Sequence, residues 1–155
     1  MKKLAYIIAV LVAVSGCNRV ATPYKSSSIY GSWYTKSYKN INSHIVAHIT
    51  TKEQFYRNGT LLSSKWFNFK NKAGNNLGEY YITKQFTFSK NNNTIKAKFI
   101  RCSTGITKPL KVNNLGYQKL YRACKTQMGS YKVTQKRYKV YGSQLMLNNK
   151  KYIRE

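Results

Sequence analysis

Aspartate is missing from this chain altogether, and glutamate occurs three times, at Glu53, Glu79 and Glu155. General acid-base catalysis usually recruits two carboxylates, or a histidine with a carboxylate partner, and such a spread of three Glu offers little chance of a pair. A Ser-His-Asp triad is excluded, and a Glu substitute would have to aim Glu53 or Glu79 at one of the two histidines without any visible nucleophile elbow. Those histidines, His44 and His48, lie in a segment of strand periodicity. Four residues apart in an extended chain, they are too distant to chelate one ion without a third ligand. Cysteine is scarce too, with three copies and no Cys-x-x-Cys spacing to support a thiol redox site. These absences point to a protein that binds rather than catalyses, with no metal and no cofactor.

Positive charge is what the chain has in excess: 28 Lys and Arg give a formal +25 over 155 residues. A field of that size concentrates anionic partners at the surface, whether nucleic acid, anionic lipid headgroups or acidic polysaccharide. Aromatics make up 14% of the residues, and the apolar runs alternate, so the composition is that of a folded domain rather than a disordered one. The length leaves room for one domain.

Lys2 and Lys3 precede an apolar run from Leu4 to Val14, which is too short to span a bilayer comfortably as a permanent helix. Val14-Ser15-Gly16-Cys17 then places small residues immediately before a cysteine. The segment resembles the lipobox of bacterial lipoproteins, in which the Cys is acylated and becomes the new N-terminus. The resemblance implies a signal peptide over 1–16, a lipid on Cys17, a flexible tether over 17–28 rich in Ser, and a domain over 29–155. More than one acyl chain makes such anchoring stable. Asn18 follows in place of the Asp that retains enterobacterial lipoproteins in the inner membrane, which favours the outer membrane of the envelope. Two cysteines are left, Cys102 and Cys124, and an even remainder in an oxidising compartment reads as a disulfide, with a reduced pair as the alternative.

Beyond the tether the apolar period is mostly two. Ile45, Ala47, Ile49 and Thr51 share one face, and Ile95, Ala97 and Phe99 share another, as in a sheet with one wet side. Asn58-Gly59 between Phe55-Tyr56 and Leu61-Leu62 is a strong hairpin signal, and Asn91 to Asn93, Gly142-Ser143 and Asn148-Asn149 supply further turns. One segment breaks the pattern: Tyr117, Leu120, Tyr121 and Cys124 recur at helical spacing between Asn114 and Gly129. It predicts a short helix near 114–126. The class expected is all-β: an antiparallel up-and-down barrel of about eight strands, with an open two-sheet sandwich as the alternative.

Gly31-Ser32-Trp33 at the start of the first strand resembles the Gly-x-Trp motif of lipocalins and lipocalin-like bacterial domains. The resemblance implies that Trp33 packs at the closed end of a barrel beneath Arg154, which ends the last strand. It also implies a ligand cavity, with Phe55, Trp66, Phe86 and Phe99 as its lining; the same side chains could instead fill a packed core. An apolar or amphipathic small molecule is the ligand expected there. A second expectation uses the exterior, where Lys and Arg alternate with Tyr in Tyr34 to Lys39 and in Lys136 to Tyr141 and would meet anionic lipid or polysaccharide. A structural or inhibitory role toward another envelope protein is the third. The lipobox weighs against nucleic acid as a partner.

Overall fold

The computed structural model describes residues 28–111, 115–127 and 133–155. These form a closed barrel of eight antiparallel strands in sequence order, with one helix inserted before the sixth strand. The strands are β1 Gly31–Asn40, β2 Ile45–Phe55, β3 Thr60–Asn71, β4 Asn76–Asn91 and β5 Thr94–Lys108, followed after the helix α1 Leu115–Gln127 by β6 Val133–Tyr141, β7 Gln144–Leu147 and β8 Lys150–Arg154. The proposed signal peptide, Cys17, Asn114 and Gly129 lie outside the described residues.

The turns are made by the residues whose chemistry suits them. Asn148 and Asn149 have φ of 48° and 64° between the paired ends Leu147 and Lys150, the double positive φ of a two-residue hairpin turn that asparagine tolerates. Gly59, at φ 80°, turns β2 into β3, and its carbonyl accepts from the Phe88 amide at 2.7 Å, tying that hairpin to β4.

Strand lengths make the wall uneven. β4 and β5 run for 16 and 15 residues, whereas β7 and β8 run for 4 and 5. β8 pairs with β1 only at Trp33 and Tyr34, and β6 pairs with β5 only over Thr94 to Lys98. The barrel is therefore complete around one end and low-walled toward the other. Helix α1 covers part of that second end: Tyr117 and Leu120 pack on Ala47, Phe69 and Tyr80, and a disulfide joins Cys124 to Cys102 with Cα atoms 5.5 Å apart.

The complete end is filled by its own side chains. Ile29, Trp33, Leu61, Ile95 and Leu145 are fully buried there, with Phe55, Phe86, Phe99 and Tyr152 in the same cluster. At roughly 25 cal/mol per Å² of apolar surface removed from water, this packed end is the main source of stability.

Candidate anion site in the barrel mouth

Side chains on alternate positions share a face, so the strand register lists the interior rung by rung. At the complete end the rung is Phe55, Leu61, Phe86 and Phe99. The next is Glu53, Ser63, Lys84 and Cys102; the third is Thr51, Lys65, Ile82 and Thr104; the fourth, Ile49, Phe67, Tyr80 and Ile106, is aromatic again. A polar band thus lies between two apolar ones. From the low wall Lys136, opposite Ile95, and Lys150, opposite Leu147, point to the same side of the sheet as the band.

Glu53 is the buried carboxylate of the band, 3% exposed. One carboxylate oxygen accepts the Ser63 hydroxyl at 3.0 Å and has the Lys136 ammonium at 3.9 Å; the other is buried with no hydrogen-bond partner among the described residues. Burial pushes its pKa above the usual carboxylate range, against the pull of Lys136, the Ser63 hydrogen bond, Lys65 and Lys150. The lysines show the converse. Burial holds Lys84 and Lys150 below the ordinary lysine value, and the positive charge of Lys65 lowers both further, with Lys136 also acting on Lys84. Lys65 and Lys150 are exposed, while Lys84 and Lys136 are partly buried. The cations thus descend from the mouth toward one carboxylate.

This geometry revises part of what the sequence suggested. Trp66 does not face the interior: it pairs with Thr50 and Tyr81, in the opposite phase to Lys65, and stands on the outer wall. Phe55, Phe86 and Phe99 lie together in the packed cluster at the complete end. Lys136 and Tyr138 were expected outside and are inside, Tyr138 at 9% exposure, because β6 keeps phase with Ile95 through its pairing to β5. Gly31 opens β1 at φ 120°, and the Arg154 guanidinium lies 4.5 Å from the centre of the Trp33 ring. His48 sits on the outer wall, edge-on to Tyr38 with ring centres 4.8 Å apart. Among the described residues no three His, Cys, Asp or Glu converge as a metal site would need.

Polarity alone hides the lysine band, because lysine ordinarily faces water. Phase would have found it. Glu53 is in step with Phe55, and Lys65 with Leu61, on either side of a tight hairpin.

No protein-family model matches this chain, and no curated protein matches it either.

Proposed function

We propose that this chain is a non-catalytic binding module of the bacterial envelope, anchored in the outer membrane through a lipid on Cys17, that takes an anionic amphiphile into the mouth of its barrel. One observation carries the reading: Lys65, Lys84, Lys136 and Lys150 converge on a layer that holds a single carboxylate, Glu53. Like charges gathered in a partly buried layer repel one another, and a negative ligand group entering the layer would offset that repulsion, which makes the cluster a candidate anion site. A phosphate or carboxylate head would meet the ammonium groups, and an apolar body would lie against Phe67, Tyr80 and the helix residues Tyr117 and Leu120. The apolar-only ligand expected from the cavity reading fits this charged band less well. Anchoring is supported by the basic, apolar and small-residue order of residues 1–17, and export by the Cys102–Cys124 disulfide.

A second reading concerns the exterior, and a specific observation favours it. All three acids are engaged within the fold: Glu53 is buried, Glu79 accepts hydrogen bonds from Asn68 and Thr107, and Glu155 pairs with Lys52. The positive field is thus opposed by little free negative charge, which suits a long-range attraction to anionic lipid or polysaccharide that delivers the ligand to the mouth.

Calorimetric titration of protein expressed from Ser28 onward tests the first reading, with octyl phosphate against octyl glucoside as the neutral control. The phosphate should bind and the glucoside should not. Lys65→Glu with Lys150→Glu, both at exposed positions, should weaken phosphate binding about a hundredfold, since each lost charge-assisted contact contributes about 1.5 kcal/mol or more. Equal binding of the two amphiphiles would contradict the proposal.

A further inference from the structure

The outer wall of β1 to β4 carries a groove of about 410 Å³ lined by Lys36, Tyr38, His48, Trp66, Asn68 and Lys70. The side chains named occupy the positions between the inward rungs and so face away from the mouth, while Ser37 and Ile49, of the inward phase, also border the groove. Two adjacent cross-strand rows build it. Lys36, Thr50, Trp66, Tyr81 and Gly105 make one, and Tyr38, His48, Asn68 and Glu79 the other.

Contacts within and beside the groove hold both rows in place, and Glu79, which also lines it, has its carboxylate used up in doing so. Glu79 has each carboxylate oxygen occupied, one by the Asn68 amide at 2.9 Å and one by the Thr107 hydroxyl at 2.7 Å. That fixes which way the Asn68 amide points; among the described residues its oxygen accepts a long bond, at 3.4 Å, from Asn76. Tyr81 is fixed by a missing side chain: a Cβ on Gly105 would fall 2.6 Å from its ring, so the ring lies across bare backbone beside Trp66. Tyr38 and His48 meet edge to face, which holds the imidazole against the groove while Tyr38 stays 68% exposed.

We propose that this groove binds an acidic saccharide. Its parts match that chemistry. The half-buried Trp66 and the exposed Tyr38 offer flat apolar surfaces for the C–H face of a sugar ring, and an oriented amide and imidazole meet ring hydroxyls. Lys36 and Lys70 stand on either side for a carboxylate or sulfate. Hydroxyls hydrogen-bond well to planar groups whose orientation is already set, because little further ordering is needed on binding. A nucleotide would use the same stacking and the same cations, but it has fewer hydroxyls for Asn68 and His48, and that makes it the competing outcome of the test. The inference stands independently of ligand binding in the mouth.

The two tryptophans make the groove readable in solution. Trp33 is fully buried, so acrylamide quenching of the full chain in neutral detergent reports Trp66. Trigalacturonic acid should protect Trp66 from quenching, with maltotriose protecting about tenfold more weakly because it has no charge for Lys36 and Lys70. By calorimetry Trp66→Ala should lose about tenfold in affinity for the acidic trisaccharide and Trp66→Phe should restore most of it, as a stacking contact requires. Both variants should melt near the parent, since the residue lies outside the core; Trp66→Phe keeps the test usable if Trp66→Ala does not. Unchanged acrylamide quenching at saturating trisaccharide, unchanged affinity in a folded Trp66→Ala variant, or protection by oligothymidylate in place of the saccharide would each overturn the proposal.

Discussion

The Arg154 guanidinium lies over the indole of Trp33, 4.5 Å from its centre, and so joins the last strand to the first at the complete end of the barrel. The contact is built into a small network. Arg154 donates to the Ser28 carbonyl at 2.7 Å and Trp33 donates to the Ile29 carbonyl at 2.7 Å, which draws the segment before β1 across the end and buries Ile29. β7 and β8 are so short that this pair, with the Glu155 amide donating to Ser32 at 3.0 Å, carries much of the closure.

Removing the indole should therefore be costly. Trp33→Ala is expected to destabilise by about 3–5 kcal/mol, the range for deleting a large buried aromatic. Arg154→Leu should lose about 0.5–2 kcal/mol of cation–π attraction together with its bond to Ser28. Urea denaturation checks both, and the Trp33 effect should be the larger.

Reduction of Cys102–Cys124 opens a loop between cysteines 22 residues apart in sequence and should lower stability by about 3 kcal/mol in the chain-entropy account. The loss should be felt first at α1, whose packing rests on a few side chains such as Tyr117, Leu120 and Cys124. Hydrogen exchange in Cys102→Ser with Cys124→Ser should show amides of α1 exchanging faster while those of β2 to β4 stay protected.

Glu53 should give the protein a distinctive acid-side pH profile. Its native pKa is raised above the ordinary 4.5, so in the window between the two values the folded state holds a proton that the unfolded state has lost. Stability then falls as pH rises through that window. On the alkaline side Lys84 and Lys150 are lowered from 10.5, the unfolded state binds the extra protons, and stability rises with pH. Anion affinity in the mouth follows the local charge, increasing as Glu53 protonates on acidification. Glu53→Gln should reduce the acid-side dependence of both, as measured by denaturation and by titration across pH with octyl sulfate, whose single charge does not change over that range.

Cys17→Ser should leave an unprocessed precursor that no longer partitions with detergent, if the lipid sits where residues 14–17 suggest. Processing and partitioning unchanged from the parent would refute the anchor.

The barrel class was legible because its signals are local: Asn-Gly and Asn-Asn turns, and strands such as Ile95 to Phe99 with one apolar face. The helix was legible from the spacing of Tyr117, Leu120 and Cys124, and the disulfide from the count of cysteines. What could not be read locally was phase. Trp66 is as apolar as Phe67 and follows Lys65 directly, so hydrophobicity favoured the interior for it, whereas the register fixed from Phe55 and Leu61 sends Lys65 inward and Trp66 out. The same applies to Lys136, whose inward position depends on pairing with a strand that lies across an intervening helix. A band of lysines inside a barrel defeats any reading that assigns faces by polarity alone, and a binding site is where such a conflict is expected.

The most direct test of the central claim is to watch the lysines themselves. Reductive methylation with an isotope label gives each lysine of the protein from Ser28 onward its own NMR signal, assigned by single Lys→Arg variants. On titration with octyl phosphate at moderate salt, the signals of Lys65, Lys84, Lys136 and Lys150 should move together along one saturating curve, with the outer-wall lysines almost still. Small shifts spread over the whole surface, with those four unmoved, would contradict it.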